Sequence, residues 1–259
     1  MITAGIDCGA QNTKTVILKD SEIAGKAKAS TGFDLEKAVE NSLSKAVQAA
    51  GIERGDIRRI CGTGSGKDAI KIAHAAVDDV KAMSQGAHFF FPTARTVIDV
   101  GAEEGRAAKI DAAGLPVDFV VNEKCAAGAG TFIDAMARAL EVGLAQMGRL
   151  SLQSDNKIPM NAQCVVFAES EVVGLIHAGT AKSDICKAIH DSMAGRIASM
   201  VRRIGVNRDI VMLGGVGCNI GFISALKREL KIESIWVPND PEYGAAVGAA
   251  LLAAQEVIS

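Results

Sequence analysis

Hydrophobic and polar positions in the first part of the chain alternate between short apolar runs and helical spacing. Apolar runs at Ile2–Asp7 and Thr15–Leu18 are typical of buried strands, and the polar segment Cys8–Thr13 between them predicts a hairpin. Apolar residues at helical spacing then follow the capping residue Asp34, which predicts a helix over Phe33–Ala50. A short strand at Asp56–Cys61 and a mostly helical segment at Asp68–Gly86 are predicted after it.

The same strand–turn–strand pattern starts again in the second part of the chain. Strands are predicted at Thr96–Asp99 and Ala107–Ile110, on either side of an acidic, glycine-containing turn, Val100–Gly105. The elements predicted beyond this hairpin are helices at Thr131–Leu140, Glu169–His177 and Asp184–Ile204, a strand at Ile210–Leu213, and a final helix at Gly244–Val257. Because the final helix is almost entirely apolar, we expect it to be buried against the first part of the chain.

A short sequence echo relates the two parts. The tetrapeptide Asp-Cys-Gly-Ala at positions 7–10 is echoed by Asp-Val-Gly-Ala at 99–102, and a lysine follows each copy, Lys14 and Lys109. The same strand–turn–strand context surrounds both copies, so we interpret the chain as two related α/β halves. The predicted boundary lies near Pro92, with one domain over 1–94, joined by the C-terminal helix 244–259, and a second over 95–243.

Composition and charge exclude several classes of protein. Of the 259 residues, 49% are hydrophobic, which is enough for a large core and excludes a disordered chain. No apolar run approaches the roughly 20 residues that span a bilayer, and the N-terminus lacks the regions of a signal peptide, so we expect a cytoplasmic protein. A net charge of −2, with scattered charges, favours neither a nucleic acid nor a membrane as partner.

The surplus of glycine is concentrated at positions suited to phosphate. Glycines in strand-end turns let backbone N–H groups approach a ligand closely, and Lys14 is placed to neutralise phosphate charge. Asp7 and Asp99, each at a strand end, are suited to holding Mg²⁺ through water or to orienting an attacking water. A single Asp-x-Gly more often just ends a strand in a turn, but two copies and a third glycine loop after the strand Ile210–Leu213 favour a phosphate site.

Two common nucleotide motifs do not fit. The segment 62–68 (Gly-Thr-Gly-Ser-Gly-Lys-Asp) resembles a P-loop, but the spacing places Cys61 at its first glycine and Asp68 at its Ser or Thr. No G-x-G-x-x-G opens a helix after the first strand, which excludes a Rossmann fingerprint.

The two hairpins, the late Gly-Gly loop and the apolar final helix resemble the actin, sugar-kinase and Hsp70 ATPase superfamily. That resemblance implies an α/β fold with two related, ribonuclease H-like domains and ATP or ADP in the cleft between them. It implies that the hairpins clasp the phosphates and that the late loop borders the adenosine. The implied nucleotide-binding residues are Gly9, Ala10, Gln11, Asn12, Thr13, Lys14, Gly101, Ala102, Gly128, Gly130, Gly214, Gly215, Val216, Asn219 and Gly244.

Two cysteine motifs narrow the resemblance. The segments 122–130 (Asn-Glu-Lys-Cys-Ala-Ala-Gly-Ala-Gly) and 164–172 (Cys-Val-Val-Phe-Ala-Glu-Ser-Glu-Val) resemble those of the family that contains the ATPase subunits of benzoyl-CoA reductase and the activators of 2-hydroxyacyl-CoA dehydratases. The similarity covers essentially the whole chain. It implies that Cys125 and Cys164 hold one [4Fe–4S] cluster shared with a second subunit, since such a cluster normally needs four thiolates.

The residues themselves support only part of that assignment. Cys125 and Cys164 form no C-x-x-C pair, so their spacing alone predicts no metal site. Cys125 precedes a glycine-rich helix start, where the helix dipole favours a thiolate. The other four cysteines are expected to be small core residues: Cys8, Cys61, Cys186 and Cys218.

The family resemblance also implies a mechanism and partners. A ferredoxin or flavodoxin donates an electron, ATP hydrolysis changes the angle between subunits, and the electron passes to catalytic reductase or dehydratase subunits. The second hairpin departs from the commonest family form, Asp-Ile-Gly-Gly-Gln-Asp followed closely by Lys, because Glu103 and Glu104 replace Gln-Asp and the turn to Lys109 is three residues longer. Glu103 and Glu104, with Asp7 and Asp99, are the candidate catalytic residues, and which glutamate acts in hydrolysis stays open.

This hairpin resembles that of the D-type subunit of benzoyl-CoA reductase, so the first expectation is an iron–sulfur ATPase subunit of such a reductase, paired with a sister subunit. The alternative is a homodimeric activator of a 2-hydroxyacyl-CoA dehydratase. Two other classes stay open, a sugar kinase of the same superfamily and an ATP-dependent regulator without a cluster. Neither would need Cys125 or Cys164.

Overall fold

A computed structural model describes residues 1–122, 130–160 and 165–255, and its strands form two sheets. The first sheet has the order β3-β2-β1-β4-β5, in which β1 pairs antiparallel with β2 and parallel with β4. Its strands are β1 (Ile2–Cys8), β2 (Asn12–Lys19), β3 (Glu22–Ser30), β4 (Arg59–Thr63) and β5 (Ala75–Ala76).

The second sheet repeats the arrangement of the first. Its order is β8-β7-β6-β9, in which β6 pairs antiparallel with β7 and parallel with β9. Its strands are β6 (Thr96–Val100), β7 (Gly105–Ile110), β8 (Pro116–Asn122) and β9 (Ile210–Leu213). We call the first sheet with its helices the first lobe and the second sheet with its helices the second lobe. The repeated strand order is the structural form of the sequence echo.

Eight α-helices lie in the described part of the chain. They are α1 (Leu35–Ala50), α2 (Asp79–Phe90), α3 (Gly130–Ala139), α4 (Leu144–Ser151), α5 (Val165–His177), α6 (Lys182–Ile204), α7 (Ile220–Leu230) and α8 (Gly244–Gln255). The predicted cap of α1 is present, since the Asp34 carboxylate accepts a hydrogen bond from the Lys37 N–H at 3.0 Å. None of the described helices is long and apolar enough to cross a membrane.

The prediction of a mostly helical segment at Asp68–Gly86 is wrong in its first half. The α-helix begins only at Asp79, after Asp78 accepts the Lys81 N–H. Before it, β5 pairs with β4, and the His74 ring accepts the Ile60 N–H at 3.0 Å. Pairing with the sheet therefore competes successfully with helix formation in this alanine-rich stretch.

The strands β3 and β8 are absent from the sequence-based prediction. Both lie at sheet edges, and most of their side chains are partly or fully exposed. The polar and small residues of β3 lack the apolar run that marks a buried strand. The strand β8 does contain strand-forming residues, Val117 and Phe119–Val121, and was missed all the same.

The last helix is the most deeply packed of the described helices. It contacts β1, β2 and β4 of the first lobe, and it also packs along α2. The α2–α8 contact is backbone to backbone, because a Cβ on Gly86 would lie 1.9 Å from the Gly244 carbonyl oxygen and one on Gly248 would lie 1.8 Å from that of Ala82. The residues 256–259 lie outside the described chain, and the domain division at residue 94 stays a prediction.

Candidate functional site

A cleft of about 460 Å³ lies between the two lobes and is lined by both hairpins. Its volume falls in the range of small-molecule sites, roughly 300–1,000 Å³. Most of the predicted site residues line it, namely Asp7, Gly9, Ala10, Gln11, Asn12, Lys14, Asp99, Gly101, Ala102, Glu103, Glu104, Gly130, Gly214, Gly215, Val216 and Asn219.

Two described residues of the predicted nucleotide site, Thr13 and Gly244, are not among the lining residues. Thr13 is buried inside the first hairpin, where its hydroxyl lies 3.0 Å from that of Thr31. Gly244 is buried at the start of α8, and a Cβ there would meet the Leu213 side chain at 2.6 Å. Gly128 lies outside the described residues.

The first hairpin joins β1 to β2 through a turn closed by one backbone hydrogen bond. The Gly9 N–H donates to the Asn12 carbonyl at 3.2 Å. Asp7 and Lys14 are directly opposite in the register, and Lys14 Nζ lies 2.8 Å from Asp7 Oδ2. Burial lowers the pKa of Lys14, but Asp7 raises it more, so the pKa lies above its usual range and the cation is held in the cleft.

The second hairpin has the same length and register as the first. The Gly101 N–H donates to the Glu104 carbonyl at 2.9 Å, and Asp99 is directly opposite Arg106. The expectation of a turn longer by three residues is therefore wrong: Arg106, and not Lys109, stands where Lys14 stands. Lys109 pairs with Thr96 three residues further along β7.

Arg106 is shared among three carboxylates. Its guanidinium lies 3.5 Å from the Asp79 carboxylate and 3.8 Å from that of Asp99, and it forms a close ion pair with Glu104. Burial opposes the charge of Arg106, but these three carboxylates together raise its pKa. Burial also raises the pKa of Asp99 to about 6, although Arg106 opposes that rise.

Each of the two hairpin aspartates, Asp7 and Asp99, is in contact with a glycine that has a left-handed backbone conformation. Gly64 (φ 92°) follows β4, and Gly214 (φ 82°) follows β9. A Cβ on Gly64 would lie 2.6 Å from Asp7 Oδ1, and one on Gly214 would lie 2.4 Å from Asp99 Oδ1. The glycine-rich segment 62–68 is thus the first-lobe counterpart of the late glycine loop, which explains why it resembles a P-loop without matching one.

The late glycine loop leads into a capped helix. Asn219 is the N-cap of α7, and its Oδ1 accepts the N–H groups of Gly221 and Phe222 at 3.0 and 3.1 Å. Beside the loop, Lys28 of β3 pairs with Glu242 at 3.1 Å, which joins the first lobe to the segment before α8. The loop is bonded to that segment, since the Gly214 N–H donates to the Pro241 carbonyl at 2.9 Å.

The start of α3 is bonded directly to the second hairpin. The Gly130 N–H donates to the Gly101 carbonyl at 2.8 Å, and the Thr131 N–H donates to the Ala102 carbonyl at 2.9 Å. A Cβ on Gly130 would lie only 3.1 Å from that first carbonyl oxygen. Two N–H groups that a helix leaves without an internal partner are thus satisfied by the hairpin turn.

Several residues that line the cavity escaped the sequence analysis, among them Asp79, Arg106, Asp134 and Glu242. The signal for Arg106 is available in the sequence, because it lies seven positions after Asp99, as Lys14 lies seven after Asp7. The other three come from helices or loops distant in sequence, and no local pattern marks them.

Metal-binding groups are sparse in the described chain. Among its residues, no three His, Cys, Asp or Glu side chains converge on one metal position. Cys125 and Cys164 lie outside the described residues. Asp7 and Asp99 fit the one or two carboxylates that Mg²⁺ usually takes beside phosphate and water.

Three of the remaining cysteines are buried, as expected, but Cys218 is not. It is exposed on the cleft, and its Sγ lies 3.7 Å from Glu242 Oε2. The expectation of a core residue at this position is therefore wrong, because the loop between β9 and α7 is at the surface.

Comparisons with known proteins agree with this geometry. The model of the BadF/BadG/BcrA/BcrD ATPase family matches residues 4–253. A 2-hydroxyisocaproyl-CoA dehydratase activator from Clostridioides difficile is 38% identical over 257 residues, 99% of this chain and 96% of the relative. The solved structure of the activator of the 2-hydroxyisocaproyl-CoA dehydratase from Clostridium difficile with bound ADPNP has a TM-score of 0.93 at 37% identity, covering 100% of this chain and 96% of that one.

Two further comparisons test specific expectations. The D-type subunit of benzoyl-CoA reductase from Thauera aromatica is 31% identical over 96% of this chain and 92% of its own length, so it is a more distant relative. A ROK family glucokinase from Streptomyces griseus has a TM-score of 0.63 at 13% identity, covering 98% of this chain and 100% of that one, and so shares the fold alone. The expected actin, sugar-kinase and Hsp70-like fold is confirmed.

Proposed function

Because the chain belongs to the BadF/BadG/BcrA/BcrD ATPase family, we propose that it is the ATP-hydrolysing activator of a 2-hydroxyacyl-CoA dehydratase. The observation that carries this proposal is the 38% identity to such an activator along nearly the whole chain. The dehydratase activator, which was the alternative in the sequence analysis, is therefore preferred to the reductase subunit, since the reductase subunit matches at only 31% identity. The reaction oxidises a ferredoxin or flavodoxin by one electron, passes that electron to the dehydratase, and hydrolyses ATP to ADP and phosphate.

The cleft supplies the groups that a magnesium nucleotide needs. The hairpin turns at 9–12 and 101–104 present backbone N–H groups, which bind phosphate oxygens without a large side chain. Lys14 and Arg106 supply positive charge below the turns, and Asp7 and Asp99 supply hard oxygen ligands for Mg²⁺. Glu103 and Glu104 at the second turn are proposed to orient the attacking water.

The cluster part of the proposal rests on the family and on the position of two helices. The helix α3 begins five residues after Cys125, α5 begins directly after Cys164, and the two helices pack together. Val166 and Phe167 at the start of α5 are each 66% exposed. Exposed apolar side chains of this size favour a surface that a partner covers, and we assign that partner to a second copy of the chain. A [4Fe–4S] cluster held by both copies would supply a one-electron carrier.

Backbone contacts connect the nucleotide cleft to this surface. Because the second hairpin accepts the first N–H groups of α3, a displacement of the hairpin displaces the start of that helix. The tip of the first hairpin reaches the same helix, where Gln11 Nε2 donates to Asp134 Oδ2 at 3.3 Å. Both phosphate hairpins therefore touch the helix that follows Cys125.

Anaerobic purification with an activation assay tests the proposal. We expect a brown dimer with about four iron atoms, and one-electron activation of a 2-hydroxyacyl-CoA dehydratase that requires ATP and a reduced ferredoxin or flavodoxin. Cys125→Ser is expected to lose the iron and the activation but to keep nucleotide binding, while the matched control Cys218→Ser keeps the iron. An iron-free protein that hydrolyses ATP without activating a dehydratase would contradict the proposal.

A component of a reductase is the second candidate, favoured by one observation. The second hairpin carries Glu103 and Glu104 where the commonest family form has Gln-Asp, and in this it resembles the D-type subunit of benzoyl-CoA reductase. Size determination after co-expression separates the two candidates. A stable homodimer that activates a dehydratase supports the activator, whereas a chain that is soluble only with a sister subunit supports the reductase.

A further inference from the structure

Arg106 occupies the position of Lys14 in the repeated hairpin, but its ion-pair partners differ. In the first hairpin, Lys14 is matched with one carboxylate at 2.8 Å. In the second hairpin, the corresponding cation Arg106 has three carboxylate partners. Its side chain is only 12% exposed, so these contacts are made largely out of solvent.

The three partners of Arg106 come from different parts of the molecule. Asp99 and Glu104 belong to the same hairpin as Arg106 and move with it. Asp79 is the first residue of α2, the helix whose backbone packs closely against α8. The contact with Asp79 therefore joins the second hairpin to the α2–α8 pair, whereas the other two contacts stay within the hairpin.

The cleft floor carries more negative than positive charge, so a phosphate group that reaches Arg106 there would enter together with its Mg²⁺. Four carboxylates (Asp7, Asp79, Asp99 and Glu104) surround the two cations Lys14 and Arg106. A guanidinium has five N–H donors and binds phosphate in a bidentate manner, which a lysine ammonium does not. Asp79 meets Arg106 at 3.5 Å, a longer contact than that of Glu104, and it is the partner that can be exchanged without rebuilding the hairpin.

We propose that Arg106 distinguishes a nucleoside triphosphate from a diphosphate by exchanging its contact with Asp79 for the additional phosphate. The inference rests on the proposed function in one respect, that the cleft binds adenine nucleotides. Without nucleotide, Arg106 ties the second hairpin to α2. With triphosphate, Arg106 turns to the ligand and the ion pair between the second hairpin and the start of α2 is lost.

This exchange gives the two nucleotide states different contacts between the second hairpin and the start of α2. The added phosphate carries the charge that competes with the Asp79 carboxylate, and a diphosphate lacks it. The α2 helix itself stays packed on the second sheet, where Val80 and Met83 share an apolar core with residues of β6, β7 and β9. The exchange therefore acts on the first turn of α2, the helix that also packs along α8.

Calorimetric titration of the full-length protein with ADP and with the non-hydrolysable ADPNP, both with Mg²⁺, tests the inference. We expect Arg106→Met to weaken ADPNP binding about 30-fold and ADP binding less than about 3-fold, as for the loss of a charge-assisted bidentate contact. Arg106→Lys is expected to restore part of the ADPNP affinity. The matched control is Arg54→Met, which removes an exposed arginine paired with Glu40 far from the cleft lining and is expected to change neither affinity.

A second variant tests the exchange itself and keeps the inference falsifiable if Arg106→Met does not fold. Asp79→Asn removes the competing charge, so we expect ADPNP to bind about 5-fold more tightly while ADP binding changes little. Equal losses for both nucleotides in the Arg106 variants, or weaker ADPNP binding by Asp79→Asn, would overturn the inference and leave the proposed function standing. A wild-type protein that binds neither nucleotide would overturn both.

Discussion

The two hairpins of the cleft have the same turn length and the same register, and their cations nevertheless have different partners. Lys14 forms one short ion pair with Asp7, within its own hairpin. Arg106 divides its charge among three carboxylates and reaches across to α2. The repeated backbone therefore preserves the position of a cation, while the carboxylates around that cation decide whether its contacts stay within the hairpin or also reach a neighbouring helix.

This difference assigns separate roles to the two halves of a repeated structure. The Asp7–Lys14 pair is locally complete, so we expect it to contribute mainly to the stability of the first hairpin. The partners of Arg106 come from two elements, so we expect it to respond to what enters the cleft. Four sets of substitutions test how far this division holds.

The largest effect on stability is expected at the equivalent glycines of the two lobes, Gly64 and Gly214. Gly214→Ala and Gly64→Ala should each lower the free energy of unfolding by about 4 kcal/mol, because the new Cβ meets backbone and aspartate atoms closer than 2.7 Å in a left-handed conformation. Urea unfolding measures the loss. Gly215→Ala is the control, since nothing lies within 4 Å of its Cβ. A loss at only one of the two positions would show that the lobes are not equivalent here.

The next effect is expected from the ion pair of the first hairpin. Lys14→Met should cost about 3 kcal/mol, because it leaves the Asp7 carboxylate buried without its cation. The double variant Lys14→Met/Asp7→Asn should recover most of this cost, and urea unfolding of the four proteins gives the coupling energy. An additive double variant would mean that the pair is not locally complete.

A smaller, pH-dependent effect is expected at Asp99. Its pKa of about 6 in the folded protein lies above the value of about 3.9 in an unfolded chain, so the fold favours the neutral form. Stability from this group is full below about pH 4 and is lost as the pH rises through 6. The free energy of unfolding of Asp99→Asn should therefore match that of the wild type at pH 4 and exceed it by about 2 kcal/mol at pH 7.5. Two pKa units set an upper bound of about 2.7 kcal/mol on this gain, and the loss of a partner for Arg106 reduces it.

Urea unfolding between pH 4 and 7.5 measures this change, with Asp7→Asn as the matched variant in the first hairpin. That variant removes the partner of Lys14 and should be less stable than the wild type at pH 7.5. If Asp99→Asn were also less stable at pH 7.5, the two aspartates would play the same role and the comparison would fail.

The smallest effect is expected at the tip of the first hairpin. The Gln11–Asp134 contact is exposed and 3.3 Å long, so Gln11→Ala should change the free energy of unfolding by less than about 0.5 kcal/mol. A double-mutant cycle with Asp134→Ala measures the coupling. A coupling above about 1 kcal/mol would show that the first hairpin is also tied to a neighbouring helix, and the distinction from Arg106 would then be one of degree.

Sequence patterns predicted the hairpins and the buried helices but not how distant elements meet. The strand Ile210–Leu213 and the cap Asp34 are found as predicted, because each depends on neighbouring residues. Asp79 was missed because its role depends on contact with Arg106, 27 positions away. The start of α2 was misplaced because β5 pairs with β4, an interaction that no local spacing reports.

The hydrogen bonds between the second hairpin and α3 have a thermodynamic consequence. The turn of the second hairpin lines the cleft, and its carbonyl groups also accept the first two N–H groups of α3. Linkage between two sites is reciprocal, so a partner that shifts the start of α3 changes nucleotide affinity by the same factor by which the nucleotide changes affinity for that partner. The affinity for a partner that docks near α3 would thus depend on which nucleotide is bound. When that partner dissociates, the affinity of the cleft for nucleotide would return to its value in the free protein.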